Sequence, residues 1–350
     1  MLSSVSDQAV GAVGTANTYI SVFIIMFGVI SSGMVAVMSQ NIGAGRPGIA
    51  YQARQLGLAF NAVLGIIMSL FLSLGAGTIL SGVGVADALM QPAKTYLQIV
   101  GGFCILNALI PICSSYLRAF GFSKEPLYAS IIGNVINFCL NAFFLFVLHK
   151  GVAGVATATV ISRIINLVIV VLLGAVLVKA KQHPERESNR AVMGQIIRIG
   201  LPSACETAIY NVSMTLVIRF LNQMDAQGLN VTARSYTMQI TNFSYCVGAA
   251  LAQANAIMTG WHIGAKEYDA CDRGTRKAGI IGVIVAVILE TMFALCSGWI
   301  MQLFSKDPQM VSLVGKLLAI DIVLEMGRVT NLVYGQALKT SGDAVFPVVM

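Results

Sequence analysis

Long apolar stretches separated by short polar breaks run along almost the whole chain. Each stretch is close to, or longer than, the roughly 20 residues that a helix needs to cross a bilayer. Strands fit poorly, because a spanning strand needs only about ten residues and alternates polar with apolar positions. The pattern therefore predicts an all-α polytopic membrane protein with nine spanning helices, at 17–40, 55–82, 95–117, 127–148, 152–178, 194–221, 233–258, 278–303 and 312–337.

The chain also repeats itself with a shift of 221 residues. The segment LRAFGFSKEP (117–126) corresponds to LKTSGDAVFP (338–347), and the tripeptide IGA recurs at 42–44 and 263–265. Glycine, proline and basic residues kept in register in separate loops fix turns and topology. The match therefore indicates two structurally related halves, as in many membrane transporters.

The hydrophilic segment 179–193 (KAKQHPERESNRAVM) is the natural linker between these halves. We expect an N-terminal lobe at 1–178 and a C-terminal lobe at 194–350. Applied to the helices at 194–221, 127–148 and 152–178, the shift requires one partner before Met1 and two beyond Met350. The repeat thus predicts a two-lobe bundle of 6+6 helices, of which this chain carries about nine and lacks the first and the last two.

Composition and charge agree with a membrane protein. Of the residues, 57% are hydrophobic and 11% are charged, against roughly 25% charged in soluble domains. Basic residues gather in the loops on one side, whereas the opposite loops hold only Lys94, Lys150, Lys306, Lys316 and Arg234. This bias predicts a multi-pass protein of the plasma (inner) membrane. The net charge of +7 reports topology and contact with an anionic leaflet, so we expect no nucleic-acid partner.

The seven cysteines and three histidines form no recognisable metal or catalytic motif. None of the cysteines has CxxC spacing, HExxH is absent, and His149, His183 and His262 fall in loops. We therefore expect no enzyme, no cofactor and no metal site apart from transient Na⁺. The chemistry must then come from ionisable groups inside the membrane, where a charge is costly unless it is paired or hydrated.

Glu206 is the first such group, one turn beyond Pro202 in the helix that begins IGLPSACE. The proline frees a backbone carbonyl and bends the helix. Tyr210 lies at i+4 on the same face, with Asn211 beside it. A carboxylate here can bind Na⁺ or take up H⁺ and so change charge. The alternative is a hydrated group that caps the bundle near the linker.

The last predicted helix carries a second group of charges. Asp321 and Glu325 are four residues apart and Glu325 and Arg328 are three apart, so all three share one face. We interpret Glu325 and Arg328 as a structural ion pair, with cation coupling by Glu325 as the alternative. Asp321 has no obvious partner and is the stronger candidate for coupling.

Other polar residues within the spans are candidates for a substrate cavity. Asn134, Asn137 and Asn141 share one helix face and either contact substrate or hydrogen-bond between helices. Glu290 is either a further coupling or cavity group or a contact between helices. The remaining candidates are Asn211, Gln239, Asn242 and Tyr245.

Four segments resemble MATE (multidrug and toxic compound extrusion) transporters, in the order and spacing of that family: QNIGAGRPGIAYQA, LRAFGFSKEP, IGLPSACE and EMGRVTNLVYGQALKTSGDAVFP. The resemblance implies a twelve-helix, two-lobed, NorM-like bacterial exporter that exchanges Na⁺ or H⁺ for cationic or amphipathic compounds. It is not complete. NorM-like members carry an acid where this chain has Arg328, and their acid after the linker aligns nearer Tyr210 than Glu206. The pattern E-x-x-R-x-x-N is closer to a different bacterial branch.

We therefore expect a monomeric secondary antiporter whose partners are small cationic or amphipathic molecules and the lipid bilayer. Two lobes would alternate access to a central cavity. The runner-up is a related flippase for a lipid-linked precursor. Its pyrophosphate would favour a strongly basic cavity, for which Arg163, Arg219 and Arg328 are the buried candidates.

Overall fold

The structure is a computed structural model that describes residues 7–82, 85, 87–178, 185–224, 229–302 and 307–349. The predicted linker residues 179–184, with His183, and Lys306 lie outside these ranges. The helices are α1 (Asp7–Gly43), α2 (Pro47–Leu74), α3 (Ala76–Gly82), α4 (Asp87–Tyr96), α5 (Ile105–Ala119), α6 (Lys124–Ala142), α7 (Gly151–Leu177), α8 (Asn189–Met224), α9 (Leu229–Gly264), α10 (Tyr268–Leu295), α11 (Ser297–Met301), α12 (Pro308–Ser341) and α13 (Phe346–Val349). Two π-helical turns, Leu97–Gly101 and Phe143–Val147, extend α4 and α6. The all-α prediction is confirmed.

Four helices are long and apolar enough to cross a membrane: α2, α7, α10, and α6 together with its π-helical turn. The number rises to six if each of two bent pairs is one span. One pair lies within α1, and the other joins Leu89–Gly101 to Ile105–Ala119 at an angle of 42°. The other predicted spans coincide with α8, α9 and α12, which are long helices of lower hydropathy. Their crossing stays a prediction.

Local sequence signals explain where the longest helices begin and end. Asp307 caps α12, because its carboxylate accepts a hydrogen bond from the Gln309 N–H at 3.0 Å, and Pro308 occupies the first turn. The same helix ends at Gly342, whose φ of 108° is left-handed. Pro47 likewise opens α2.

The internal repeat is visible in the backbone. The bounds of α2, shifted by 221 residues, are those of α10. Gly121 and Gly342, which the shift relates, both have left-handed φ values, 88° and 108°. Gly45 and Lys266 are a second such pair, at 71° and 62°. A non-glycine residue rarely adopts this conformation, so the repeat is one of structure as well as of sequence.

The chain divides into two compact units, Met1–Ile42 with Arg46–Ala204, and Gly43–Gly45 with Cys205–Met350. The division therefore lies inside α8, after Ala204, and differs from the predicted boundary at the linker 179–193. The reason is that α8 is one continuous helix from Asn189, and its first part packs within the first unit.

A close crossing of α1 and α8 holds that first part in place. A Cβ atom on Gly33 would lie 2.0 Å from the Ile196 carbonyl oxygen, and one on Gly200 would lie 1.9 Å from the Val29 oxygen. Only glycine allows two helix backbones to approach so closely, as small residues do at helix crossings in membranes. The rest of the first unit packs around a core from α1 to α5 and α7, which includes Ala12, Ile20, Leu72, Leu97 and Ala156.

The second unit is built on three mutually packed helices, α9, α10 and α12. Gly248 of α9 and Gly282 of α10 leave room for Val329 of α12, since a Cβ atom on either glycine would lie under 3 Å from its side chain. The part of α8 in this unit is joined to α12 by an ion pair, with 2.5 Å between Lys339 Nζ and Glu206 Oε2. Lys339 is buried and Glu206 is one-third exposed.

We predict that Gly33→Ala destabilises the protein, because the added methyl group would collide with the backbone of α8 and force the two helices apart. The midpoint of thermal unfolding of the purified protein should fall by several degrees. Gly28→Ala, on the same helix, is the matched control, since nothing lies within 4 Å of its Cβ position. Equal stability of the two variants would mean that the crossing is not tight.

A second prediction concerns Lys339. Glu206→Gln should leave this buried ammonium group unpaired and lower the free energy of unfolding by about 1–3 kcal/mol, less than for a fully buried pair because Glu206 is partly exposed. The double variant Glu206→Gln/Lys339→Gln should recover part of the loss. Additive losses in this double-mutant cycle would show that the two side chains do not interact.

Candidate functional site

Three carboxylic acids meet inside the second unit. Glu290 comes from α10, and Asp321 and Glu325 come from α12; each offers an oxygen atom within 4.8 Å of the others. Glu290 and Glu325 are 0% exposed and Asp321 is 9% exposed. The i, i+4 spacing places Asp321 and Glu325 on one face of α12, and packing against α10 brings Glu290 to that face. We call these three residues the acid cluster.

One arginine and two hydroxyl groups surround the acid cluster. Arg328 Nη1 lies 2.8 Å from Glu325 Oε2, so the ion pair expected from the sequence is present. Thr241 and Ser244 of α9 lie beside Asp321 and Glu290. Among the described residues, neither carboxylate oxygen of Glu290 has a hydrogen-bond partner. Three helices thus supply the site.

The charges of this site do not balance within the second unit. Three ionised carboxylates against one guanidinium would leave a net charge of −2 in a buried place, which is strongly unfavourable. The acid cluster therefore requires protons or a bound cation. Its ligands are all oxygen atoms, the type that hard cations prefer, and a cation with oxygen contacts of about 2.4 Å fits between oxygens at this separation.

A small cavity adjoins the acid cluster. Its volume is about 110 Å³, and its walls come from α9 (Ser244, Val247, Gly248 and Leu251) and α10 (Ile281, Gly282, Val285 and Ala286). Ser244 belongs both to this wall and to the surroundings of Glu290. The cavity has room for water molecules, so water or an ion can approach Glu290 from this side.

The structure does not place Glu206 and Tyr210 in the acid cluster. Glu206 pairs with Lys339. Tyr210 is half exposed, and the neighbouring Asn211 donates a hydrogen bond to its own helix, at the Thr207 carbonyl, 2.8 Å away. These predicted coupling residues thus belong to a different part of the second unit from Asp321 and Glu325.

The asparagines of α6 take two different positions. Asn137 donates a hydrogen bond to Ser162 Oγ of α7 at 3.3 Å, and Asn141 donates to Asn137 at 3.0 Å. These two residues therefore make the contact between helices that the sequence left open. Four other cavity candidates are exposed on their helices: Asn134, Gln239, Asn242 and Tyr245.

Sequence reasoning did not place Glu290 beside Asp321 and Glu325. Helical spacing relates residues on one helix, whereas Glu290 reaches the others only through the packing of α10 on α12. Lys339 was missed as the partner of Glu206 for the same reason. In both cases the available signal was a charge within an apolar run, which marks a residue as important without naming its partner.

The comparison with protein families agrees with this architecture. The MatE family profile matches residues 1–143 and 202–350. The "Uncharacterized transporter YisQ" of Bacillus subtilis (strain 168) is 32% identical over 356 residues, which cover 100% of this chain and 78% of the relative. The "Probable multidrug resistance protein NorM" of Streptococcus pneumoniae (strain ATCC BAA-255 / R6) is 24% identical, over 93% of this chain and 73% of its own length.

Solved structures show the same fold. "Crystal structure of MATE in the straight conformation" superposes with a TM-score of 0.89 at 17% identity, covering 99% of this chain and 78% of that one. "Outward-facing conformation of a multidrug resistance MATE family transporter of the MOP superfamily" gives 0.88 at 16% identity, with 98% and 77% covered. The resemblance first seen in four sequence segments is confirmed, and the chain belongs to the MatE family of membrane transporters.

Proposed function

We propose that the protein is a secondary active exporter of cationic or amphipathic compounds, driven by the entry of Na⁺ or H⁺. The observation that carries this proposal is the acid cluster, three buried carboxylates of which one has a basic partner. Membership of the MatE family and the multidrug-resistance names of several relatives support it.

The acid cluster offers a physical basis for coupling. When it is loaded with protons or a cation, its charge is largely neutralised and close packing of α9, α10 and α12 is favoured. When it is empty, the repulsion between the carboxylates and their need for water favour a more open arrangement. A ligand shifts a conformational equilibrium only by binding one state more tightly. This difference supplies that preference, and we propose that it drives alternating access.

Exposed polar residues within the long helices support a substrate cavity. Gln239, Asn242 and Tyr245 are exposed on α9, and Asn134 and Asn211 on α6 and α8. Polar side chains in membrane helices usually face a protein interior or a hydrated space rather than lipid. We propose that these residues contact the transported compound. Each chain holds a complete acid cluster, so we propose a monomer, located in the plasma membrane.

The flippase alternative gains no support from the second unit. Its best-defined group of buried charges is acidic, and an acidic site repels the pyrophosphate of a lipid-linked precursor.

We predict that Glu290→Gln lowers gradient-driven export of a cationic dye roughly tenfold or more, because it removes one ligand and one negative charge from the acid cluster. Proteoliposomes with an imposed Na⁺ or H⁺ gradient, each collapsed in turn, measure the effect and identify the ion. Asp269→Asn is the matched control, since Asp269 is exposed on the same helix. Undiminished gradient-driven export by a folded Glu290→Gln protein would remove the acid cluster from coupling.

Arg328→Gln tests the ion pair from the other side. Removing a positive charge beside the acid cluster should tighten cation binding roughly tenfold, since a unit charge a few ångströms away contributes about 2 kcal/mol at an effective dielectric constant of 20. The half-saturating cation concentration for export should fall accordingly. A lower unfolding temperature with an unchanged half-saturating concentration would show that Arg328 serves structure alone.

A further inference from the structure

The first unit contains a charged residue of opposite sign that lacks a partner. Arg163 lies near the middle of α7 and is half-buried. Its ionisable neighbours are Tyr96 and Cys104. Among the described residues, no carboxylate lies within ion-pair distance of its guanidinium group. A cation in the middle of a membrane helix needs a counter-charge or water, and Arg328 in the second unit has one.

The internal repeat relates this region to the acid cluster. Shifted by 221 residues, Glu290 corresponds to Ser69, Glu325 to Cys104, and Arg328 to Asn107. Cys104 lies beside both Asn107 and Arg163. The two units therefore use the same position of the repeat for groups of opposite charge.

The polar groups around Arg163 are suited to an anion. The Asn107 Nδ2 atom is buried and has no hydrogen-bond partner, so it is a free donor. The guanidinium group adds a planar set of donors that matches a carboxylate or phosphate. The backbone changes course here, through the π-helical turn Leu97–Gly101 and the 42° bend before α5. Such interruptions occur often at functional sites of membrane transporters.

We propose that the region around Arg163 and Asn107 binds an anionic oxygen group, a carboxylate or phosphate, of an amphipathic compound. The inference rests on the proposed export function and refines its substrate class, which then includes zwitterions as well as cations. The anion can belong to an exported solute or to a lipid headgroup, and the experiment distinguishes these two sources.

The test compares rhodamine B, which carries a free carboxylate, with its ethyl ester, which does not. Binding of each dye to the purified protein in phosphatidylcholine nanodiscs is measured by fluorescence. Arg163→Gln should weaken the binding of rhodamine B roughly tenfold and leave the ester within about twofold. Arg163→Lys should retain part of the affinity, because it keeps the charge without the planar donors. Arg46→Gln, an exposed arginine of the same unit, is the control and should change neither dye.

The outcomes separate the alternatives. An equal loss of both dyes, or no loss of either, would overturn the proposal; an equal loss with a lower unfolding temperature would make Arg163 a structural counter-ion. Nanodiscs with phosphatidylglycerol identify the source of the anion, because a lipid headgroup that uses the site should compete with rhodamine B only when Arg163 is present. Export of the ethyl ester in proteoliposomes tests the coupled function separately, since Glu290→Gln should abolish it whether or not Arg163 binds an anion.

Discussion

The high cost of an unbalanced charge inside a membrane protein is the constraint on which the second unit depends. Three carboxylates are brought within 4.8 Å of one another by α10 and α12, although their mutual repulsion opposes that packing. Close packing comes from small residues, since Gly248 and Gly282 admit Val329 between the helices. Apolar packing thus holds together groups that would separate on electrostatic grounds, and the stored repulsion makes the site sensitive to protons and cations.

Much of this architecture could be predicted from the sequence because its signals are local. Apolar runs of membrane length gave the helices, and the i, i+4 spacing placed Asp321 and Glu325 on one face. The repeat was predictable because residues that fix turns were kept in register, and the paired left-handed backbones of Gly121 and Gly342 bear this out. Turn residues act through their own φ and ψ angles, so their effect does not depend on distant partners.

The features that could not be predicted depend on contacts between distant segments. Glu290 joins the acid cluster only through packing of α10 on α12, and Glu206 finds Lys339 far along the chain. The division between the compact units was expected in the hydrophilic linker, but α8 continues without interruption past Pro202. A proline within a membrane helix removes one hydrogen bond without ending the helix. Composition therefore located the linker correctly as a hydrophilic segment and not as the limit of a compact unit.

The two halves of the repeat show how one backbone plan serves two kinds of site. In the first unit the helix is broken before α5, and a break leaves backbone groups that must find partners. Ser69 supplies one, since its hydroxyl accepts a hydrogen bond from the Ile105 N–H at 3.1 Å. In the second unit α12 is continuous over the corresponding residues, so its backbone needs no such partner. Glu290, which stands where Ser69 stands in the first unit, is thereby free to face the other acids.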